Sequence, residues 1–178
     1  VLLKPTPDQT QAALLATRFL TRFHYKAEPL DAKMSAQIFD RYLNALDIDR
    51  LFFTQADIDA FTPQREKLGD AIYNQDLSVP YAIFNLYEQR VGERTAYARE
   101  QLKLGFDFSK DESYRYEREK APWAKTDAEV NDIWRKRVKN DWLRLKLTGK
   151  KTGEQIRSTL DKRYANYLDR MHQLKSED

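Results

Sequence analysis

The chain has 178 residues, and 31 Lys plus Arg against 28 Asp plus Glu give a formal net charge of +3, too small for a global attraction to nucleic acid or an anionic membrane. Its 21.1 kDa suits one domain with a substantial core, and a mean hydropathy of −0.80 leaves no apolar run of the roughly eighteen residues that a spanning helix requires. A hydrophobic content of 41% excludes a disordered chain, the absence of cysteine excludes disulfides, thiolate chemistry and Cys-ligated metals, and 5 Gly with 6 Pro favour long helices over sandwiches and barrels.

The opening Val1-Leu2-Leu3-Lys4-Pro5 has neither the basic leader nor the apolar core of a secretory signal, so any export signal is expected to have been removed. Thr6-Pro7-Asp8-Gln9 reads as a capping box, and Ala12, Leu15, Ala16, Phe19, Leu20 and Phe23 predict a first helix up to about His24. After the break at Pro29, Leu30, Met34, Ile38, Tyr42, Ala45 and Leu46 predict a second amphipathic helix through Asp47. Residues 47–53 form a connector. Thr54 with Asp57 caps a third helix to about Asn74, which Pro63 should kink or split.

Ser78 before Val79-Pro80 reads as the cap of a fourth helix ending near Leu104, before Gly105. Its apolar residues Val79, Ile83, Leu86, Tyr87, Val91, Tyr97, Ala98 and Leu102 cover a wide arc, as in a central helix, and Arg90 and Arg94 inside that arc should pair with carboxylates or reach past their apolar stems. From 106 to 125 no single period holds, so an irregular segment is expected. Thr126-Asp127-Ala128-Glu129 then caps a fifth helix with Val130, Trp134, Val138, Trp142 and Leu145 on its apolar side up to Gly149. Thr152-Gly153-Glu154-Gln155 caps the last, which aligns Ile156, Leu160, Tyr164, Tyr167, Met171 and Leu174. The closing Ser176-Glu177-Asp178 carries no terminating signal, and a fragment boundary is expected there. The fold class is all-α, about six antiparallel and crossed helices without internal repeats.

Residues with chemical potential do not converge. Two histidines, His24 and His172, fall short of a zinc ligand set. Asp47-Ile48-Asp49 followed by Asp57 is no calcium loop, because Leu51, Phe52 and Ile58 occupy the places that need an oxygen ligand, glycine and glutamate. Ser35, Ser78, Ser109, Ser113, Ser158 and Ser176 lack nucleophile-elbow glycines and a Ser-x-x-Lys spacing. Residues 147–153 resemble half a phosphate loop but join two helices without a preceding strand. One patch is strongly basic: Arg135, Lys136, Arg137, Lys139, Arg144, Lys146, Lys150 and Lys151 are opposed only by Asp141. Arg135, Lys139 and Lys146 lie opposite the apolar side, which predicts a solvated face; the alternative is an acidic partner.

A family resemblance rests on Leu3-Lys4-Pro5-Thr6-Pro7 with Thr10-Gln11-Ala12, on His24-Tyr25-Lys26 with Pro29-Leu30-Asp31, and on Ser35-Ala36-Gln37-Ile38-Phe39-Asp40-Arg41-Tyr42-Leu43. It continues through Leu68-Gly69-Asp70, Lys120-Ala121-Pro122-Trp123, Leu145-Lys146-Leu147-Thr148-Gly149-Lys150, Arg163-Tyr164 and Ser176-Glu177-Asp178. In these residues the chain resembles, end to end, the N-terminal helical domain of the bacterial tail-specific, or carboxy-terminal processing, proteases. The resemblance implies a single N-terminal domain over 1–178 of a periplasmic serine endopeptidase whose PDZ module and Ser/Lys dyad lie beyond residue 178. It implies a scaffold that packs on those domains, helps wall the substrate chamber and touches an adaptor lipoprotein, with envelope proteins bearing apolar C-terminal tails as substrates. Pro63 departs from the uninterrupted helix expected there.

No family catalytic or ligand position maps onto this stretch, so no catalytic, cofactor-binding or metal residue is assigned, no cofactor is expected and partner-binding residues are left unassigned. Two other classes stay open. A free-standing interaction module would expose an apolar patch around Leu2, Leu3, Phe52, Phe53 and Trp123 for a partner to cover, and in the protease reading the same patch docks onto the domains beyond residue 178. A nucleic-acid binder, which is not expected, would join the cations of 135–151 into one surface stripe.

Overall fold

The computed structural model describes residues 31–149 and 151–174, with side chains described through residue 170. The first predicted helix, Leu2, Leu3, Leu30, Lys150 and Ser176 lie outside them. Among the described residues the elements are α1 (Ala32–Leu46), α2 (Gln55–Phe61), a 3-10 turn (Thr62–Gln64), α3 (Leu68–Tyr73), α4 (Ser78–Leu104), α5 (Asp127–Leu147) and α6 (Gly153–Leu174). The all-α reading holds.

Local chemistry explains most boundaries. Asp31 caps α1, accepting the Met34 amide at 2.8 Å. Thr54 and Asp57 form a full capping box on α2, and Thr152 with Gln155 forms the reciprocal pair on α6. Thr126 caps α5 by accepting the Glu129 amide, while Glu129 reaches back to the amide of Lys125. The third predicted helix is divided, as Pro63 foretold: α2 stops at Phe61, the proline sits in the 3-10 turn, and α3 resumes at Leu68. Ser78 is not a cap. It is the first helical residue, its amide is taken by Asp76, and the preceding Leu77 supplies no side-chain bond.

The buried face of α1 is turned from the predicted one. Met34 and Ala45 are exposed, and Ser35, Ala36, Ile38, Phe39, Tyr42 and Leu43 face inward. Ser35 explains part of the turn, since its hydroxyl donates to the Arg65 carbonyl and accepts the Gly69 amide, locking α1 onto α3.

Two apolar clusters result. One holds Phe52, Phe84, Val91, Ala98, Leu102, Trp134, Val138, Ile156, Leu160 and Tyr164 among α4, α5 and α6. The other holds Ile38, Phe39, Tyr42, Leu43, Phe53, Ile58, Leu68, Ile72 and Ile83. Leu46 and Tyr87 pack on both, and α4 runs through both, which is why its apolar arc is wide.

Arg94 of α4 pairs with Asp127 at the start of α5, while Phe106, just past α4, packs on Trp142 toward the end of α5. The two helices therefore run in the same direction. α6 runs back: Gly153 abuts Trp142, Asp161 pairs with Arg99, and Leu168 approaches Gly92. Parallel neighbours cannot be joined by a tight turn. The 21 residues of α5 extend roughly 30 Å, and the chain must travel back over that length before α5 can begin. Residues 105–126 make this return without a helix, ending in an isolated parallel bridge between Ala124 and Thr54.

The connector from Asp47 to Thr54 lies between the clusters. Phe52 enters one and Phe53 the other, because successive residues of a locally extended chain point to opposite sides. Both rings are core, so the expected exposed patch around Phe52, Phe53 and Trp123 does not form; Trp123 is half-buried, edge-on to Phe53. A buried irregular backbone needs partners for its N–H and C=O groups. Asp47, itself buried, accepts the amides of Leu51 at 2.8 Å, Phe52 at 3.0 Å and Phe53 at 2.9 Å. Burial pushes its carboxyl above the ordinary aspartate range, with those three donors and Arg50 pulling it back.

Trp134 of α5 donates its indole N–H to the Leu51 carbonyl at 2.7 Å, Arg94 of α4 donates to that of Phe52, and Arg118 donates to that of Asp49. Replacing Asp47 with alanine orphans three buried amides. At about 1–3 kcal/mol for each unsatisfied donor, the unfolding free energy from urea titration should fall by at least about 3 kcal/mol. A loss under about 1 kcal/mol would contradict the role given to this carboxylate.

Candidate functional site

The basic segment is a solvated face only in part: Lys146 is exposed as expected, but Arg135 is half-buried and Lys139 is not in water. Lys139 is buried, and its ammonium donates to the carbonyls of Asp107 at 2.8 Å and Lys110 at 2.9 Å and to Glu112 at 3.1 Å. Arg135 forks onto Glu112 and also holds Asp132, which Lys136 shares. The physical reason is the returning segment: it lies along the side of α5 that periodicity assigns to water.

Glu112, Tyr114, Tyr116 and Arg118 of that segment are half-buried and alternate with exposed Asp111, Ser113, Arg115 and Glu117. This is a strand-like period of two in a chain that pairs with a helix rather than a sheet. Its inward residues are charged or phenolic, so hydrophobic patterning does not reveal them. Tyr116 donates to Asp141 at 2.7 Å and Tyr164 of α6 donates to the same carboxylate at 2.6 Å, tying the strap to α5 and α6. Burial, reinforced by Asp141, pushes both phenols above the ordinary tyrosine range.

Arg137 donates to the hydroxyls of Tyr114 and Tyr167 and lies 5.5 Å from the Trp134 ring centre. Arg144 sits 3.8 Å above Tyr116. The described cations of 135–151 therefore do not join into one surface stripe. Lys139 and Arg137 point inward, Arg135 and Lys136 are paired, and Lys146 and Lys151 stand apart near the helix ends.

The two arginines of α4 found carboxylates as expected. Arg90 grips Asp57 through two bonds of 2.9 Å and also holds Glu93. Burial raises the Asp57 carboxyl, but Arg90 and the Thr54 amide outweigh it and hold the group below the usual range. Arg94 is buried and spans from the Phe52 carbonyl to Asp127.

The other candidates fall into structural places. Of Asp47-Ile48-Asp49, Asp47 serves the amides of Leu51, Phe52 and Phe53, and Thr148 and Thr152 stand at the end of α5 and the cap of α6. Ser109 donates to Asp107, and Ser113 and Ser158 are exposed. Among the described residues no serine hydroxyl bonds a lysine or histidine nitrogen, and no three acidic or histidine side chains gather as metal ligands. His24 and the side chain of His172 lie outside them.

An open groove of about 490 Å³ runs beside α1 and α2, with Phe39, Leu43, Ile58 and Trp123 as apolar walls and Asp40, Arg50 and Arg65 at its rim. Arg65 forks onto Asp40, and Arg50 lies 4.2 Å over Trp123 while donating to the carbonyls of Asp47 and Ile48. The rim charges are thus engaged, and the one hydroxyl that lines the groove, that of Thr62, donates to the Ile58 carbonyl.

The architecture defines an all-helical domain whose ionisable groups fasten a buried connector and a long return strap. Residues 16–178 match the family described as tail specific protease N-terminal domain. The chain is also 38% identical over 164 residues to the tail-specific protease of Haemophilus influenzae, covering 92% of this chain and 24% of that protein. It belongs to the tail-specific protease N-terminal domain family, and it spans about a quarter of the length of the curated relative it matches.

Arg135 and Lys139 hold the Glu112 carboxyl down at about 2, from an ordinary 4.5. A folded value below the unfolded one stabilises fully above about pH 4.5, and that contribution drains away as pH falls toward 2. The melting-temperature gap between wild type and Glu112→Gln should therefore be widest above pH 4.5 and close toward pH 2; a gap independent of pH would contradict the pairing. Lys139→Met keeps the apolar stem but strips the ammonium from two carbonyls. Amide exchange in 105–116 should then quicken while that in α1 stays unchanged, and unaltered exchange in the strap would count against the anchor.

Proposed function

We propose that this domain is the non-catalytic helical scaffold of a periplasmic, C-terminal-processing serine endopeptidase, and that 1–178 forms a single N-terminal domain of that enzyme. In this reading a PDZ module that selects proteins with apolar C-terminal tails and a Ser/Lys dyad that cuts them belong to the remainder of the enzyme. The helical domain packs on that platform, helps wall the substrate chamber and offers a face to an adaptor lipoprotein. Its substrates are envelope proteins.

The supporting observation is how the polar side chains are used. A Ser/Lys dyad needs a lysine held neutral beside its serine in a desolvated pocket. Among the described residues the buried lysine, Lys139, instead donates to two carbonyls and a carboxylate, and the buried serine, Ser35, serves a carbonyl and an amide. Both groups hold backbone in place, which suits a part whose task is to keep a shape.

The test compares the 178-residue chain with the full-length protease on one substrate bearing an apolar C-terminal tail. The full-length enzyme should cleave it and the isolated chain should not. Reproducible cleavage by the chain alone, abolished by no inhibitor of a contaminating protease, would overturn the non-catalytic assignment.

A further inference from the structure

We propose that the end of the bundle carrying Leu104, Phe108 and Leu147 is the surface through which this domain seats on the remaining protease chain. The inference rests on the scaffold reading and adds which face is used. Leu104 closes α4 and is 71% exposed, Leu147 closes α5 and is 84% exposed, and Phe108 is 51% exposed. Because α4 and α5 run in the same direction, their last residues finish at one end of the bundle. Phe108 lies toward the same end, about two turns of α5 short of Leu147: its ring packs at 5.9 Å on Phe106, which is 6.1 Å from Trp142, and lies 6.0 Å from the Lys139 ammonium.

Exposed leucines scattered singly are ordinary on a protein surface. Met34, Ile48 and Tyr73 are of that kind, at the start of α1, in the connector and at the end of α3. Three large apolar side chains toward one end of two parallel helices are a denser set, and such a set calls for a cover. Lys103 and Lys146, both exposed and next to Leu104 and Leu147 in the chain, put charge beside these apolar side chains, as the polar rim of a protein–protein interface does. The occupant follows from proportion: the matched relative devotes only 24% of its length to the aligned region, so a much larger body accompanies this domain in one chain and is always at hand to cover it.

The test uses the full-length protease. Residues 1–178 contain no cysteine, so Leu104→Cys, Phe108→Cys and Leu147→Cys each place one thiol in the domain, with Ile48→Cys and Tyr73→Cys as controls on other faces. Maleimide labelling of the native enzyme is read residue by residue by peptide mass spectrometry. Positions 104, 108 and 147 should label at least tenfold more slowly than the controls and equally fast after denaturation. Hydroxyl-radical footprinting of the unsubstituted enzyme at the same three side chains gives the same reading where a variant does not fold. Fast labelling at the three, whether or not a control face is protected, would overturn this surface; the scaffold reading fails separately, by cleavage from the isolated chain. Protection that disappears when the enzyme is diluted to a monomer would assign the face to a second copy and overturn the proposal.

Discussion

A stretch of chain without regular structure runs through the middle of this domain, and its amides and carbonyls have to be satisfied by side chains sent from elsewhere. Asp47 takes three amides, Asp57 takes that of Thr54, Trp134 and Arg94 take the carbonyls of Leu51 and Phe52, and Arg118 takes that of Asp49. These donors and acceptors come from the end of α1, from α2, α4 and α5, and from the return strap. Fixing the connector therefore fixes the elements against each other. It also aims Phe52 and Phe53 into the two clusters, so that packing and hydrogen bonding specify the same arrangement.

The strap extends the same logic. Parallel α4 and α5 demand a long return, and more than twenty residues without helix or sheet would be an unusual length for a passive loop. Here Lys139, Arg135, Arg137 and Asp141 tie it to α5 at intervals, and Tyr164 continues the tie into α6. Burying charge is costly unless hydrogen bonds replace water, and removing one partner leaves the other stranded. Such a network gives poor tolerance to single losses and strong preference for one geometry. A domain proposed to hold a protease platform in register gains from that rigidity, and the apolar end of the bundle then presents itself at a fixed orientation.

Much of the fold was legible in the sequence because its signals are local. Thr54, Thr126 and Thr152 announce helices through chemistry within three residues, Pro63 announces its own break, and the wide arc of α4 announces a helix packed on two sides. What was not legible depends on distant partners. Nothing within a few residues of Lys139 tells that carbonyls of the strap will cover it, so helical periodicity puts it in water. Phe52 and Phe53 read as a sticky connector until the two clusters close around them. The one available signal was an acid at a helix end just ahead of an apolar triplet, Asp47 before Leu51-Phe52-Phe53. For the site, composition revealed the cations of 135–151 but not their partners, because Glu112, Tyr114 and Tyr116 face inward through an alternation of polar residues. The family resemblance carried what periodicity could not, and the matches to the tail-specific protease domain agree with it.

Hydrogen exchange of the Leu51, Phe52 and Phe53 amides under native conditions tests the central claim most directly. If the connector is the element that locks the helices together, these three amides exchange only when the whole domain unfolds, with an exchange free energy equal to the global value from urea titration. Exchange through a local opening, at a free energy well below the global one and comparable to an exposed loop, would show that the helices hold without it and would contradict the account.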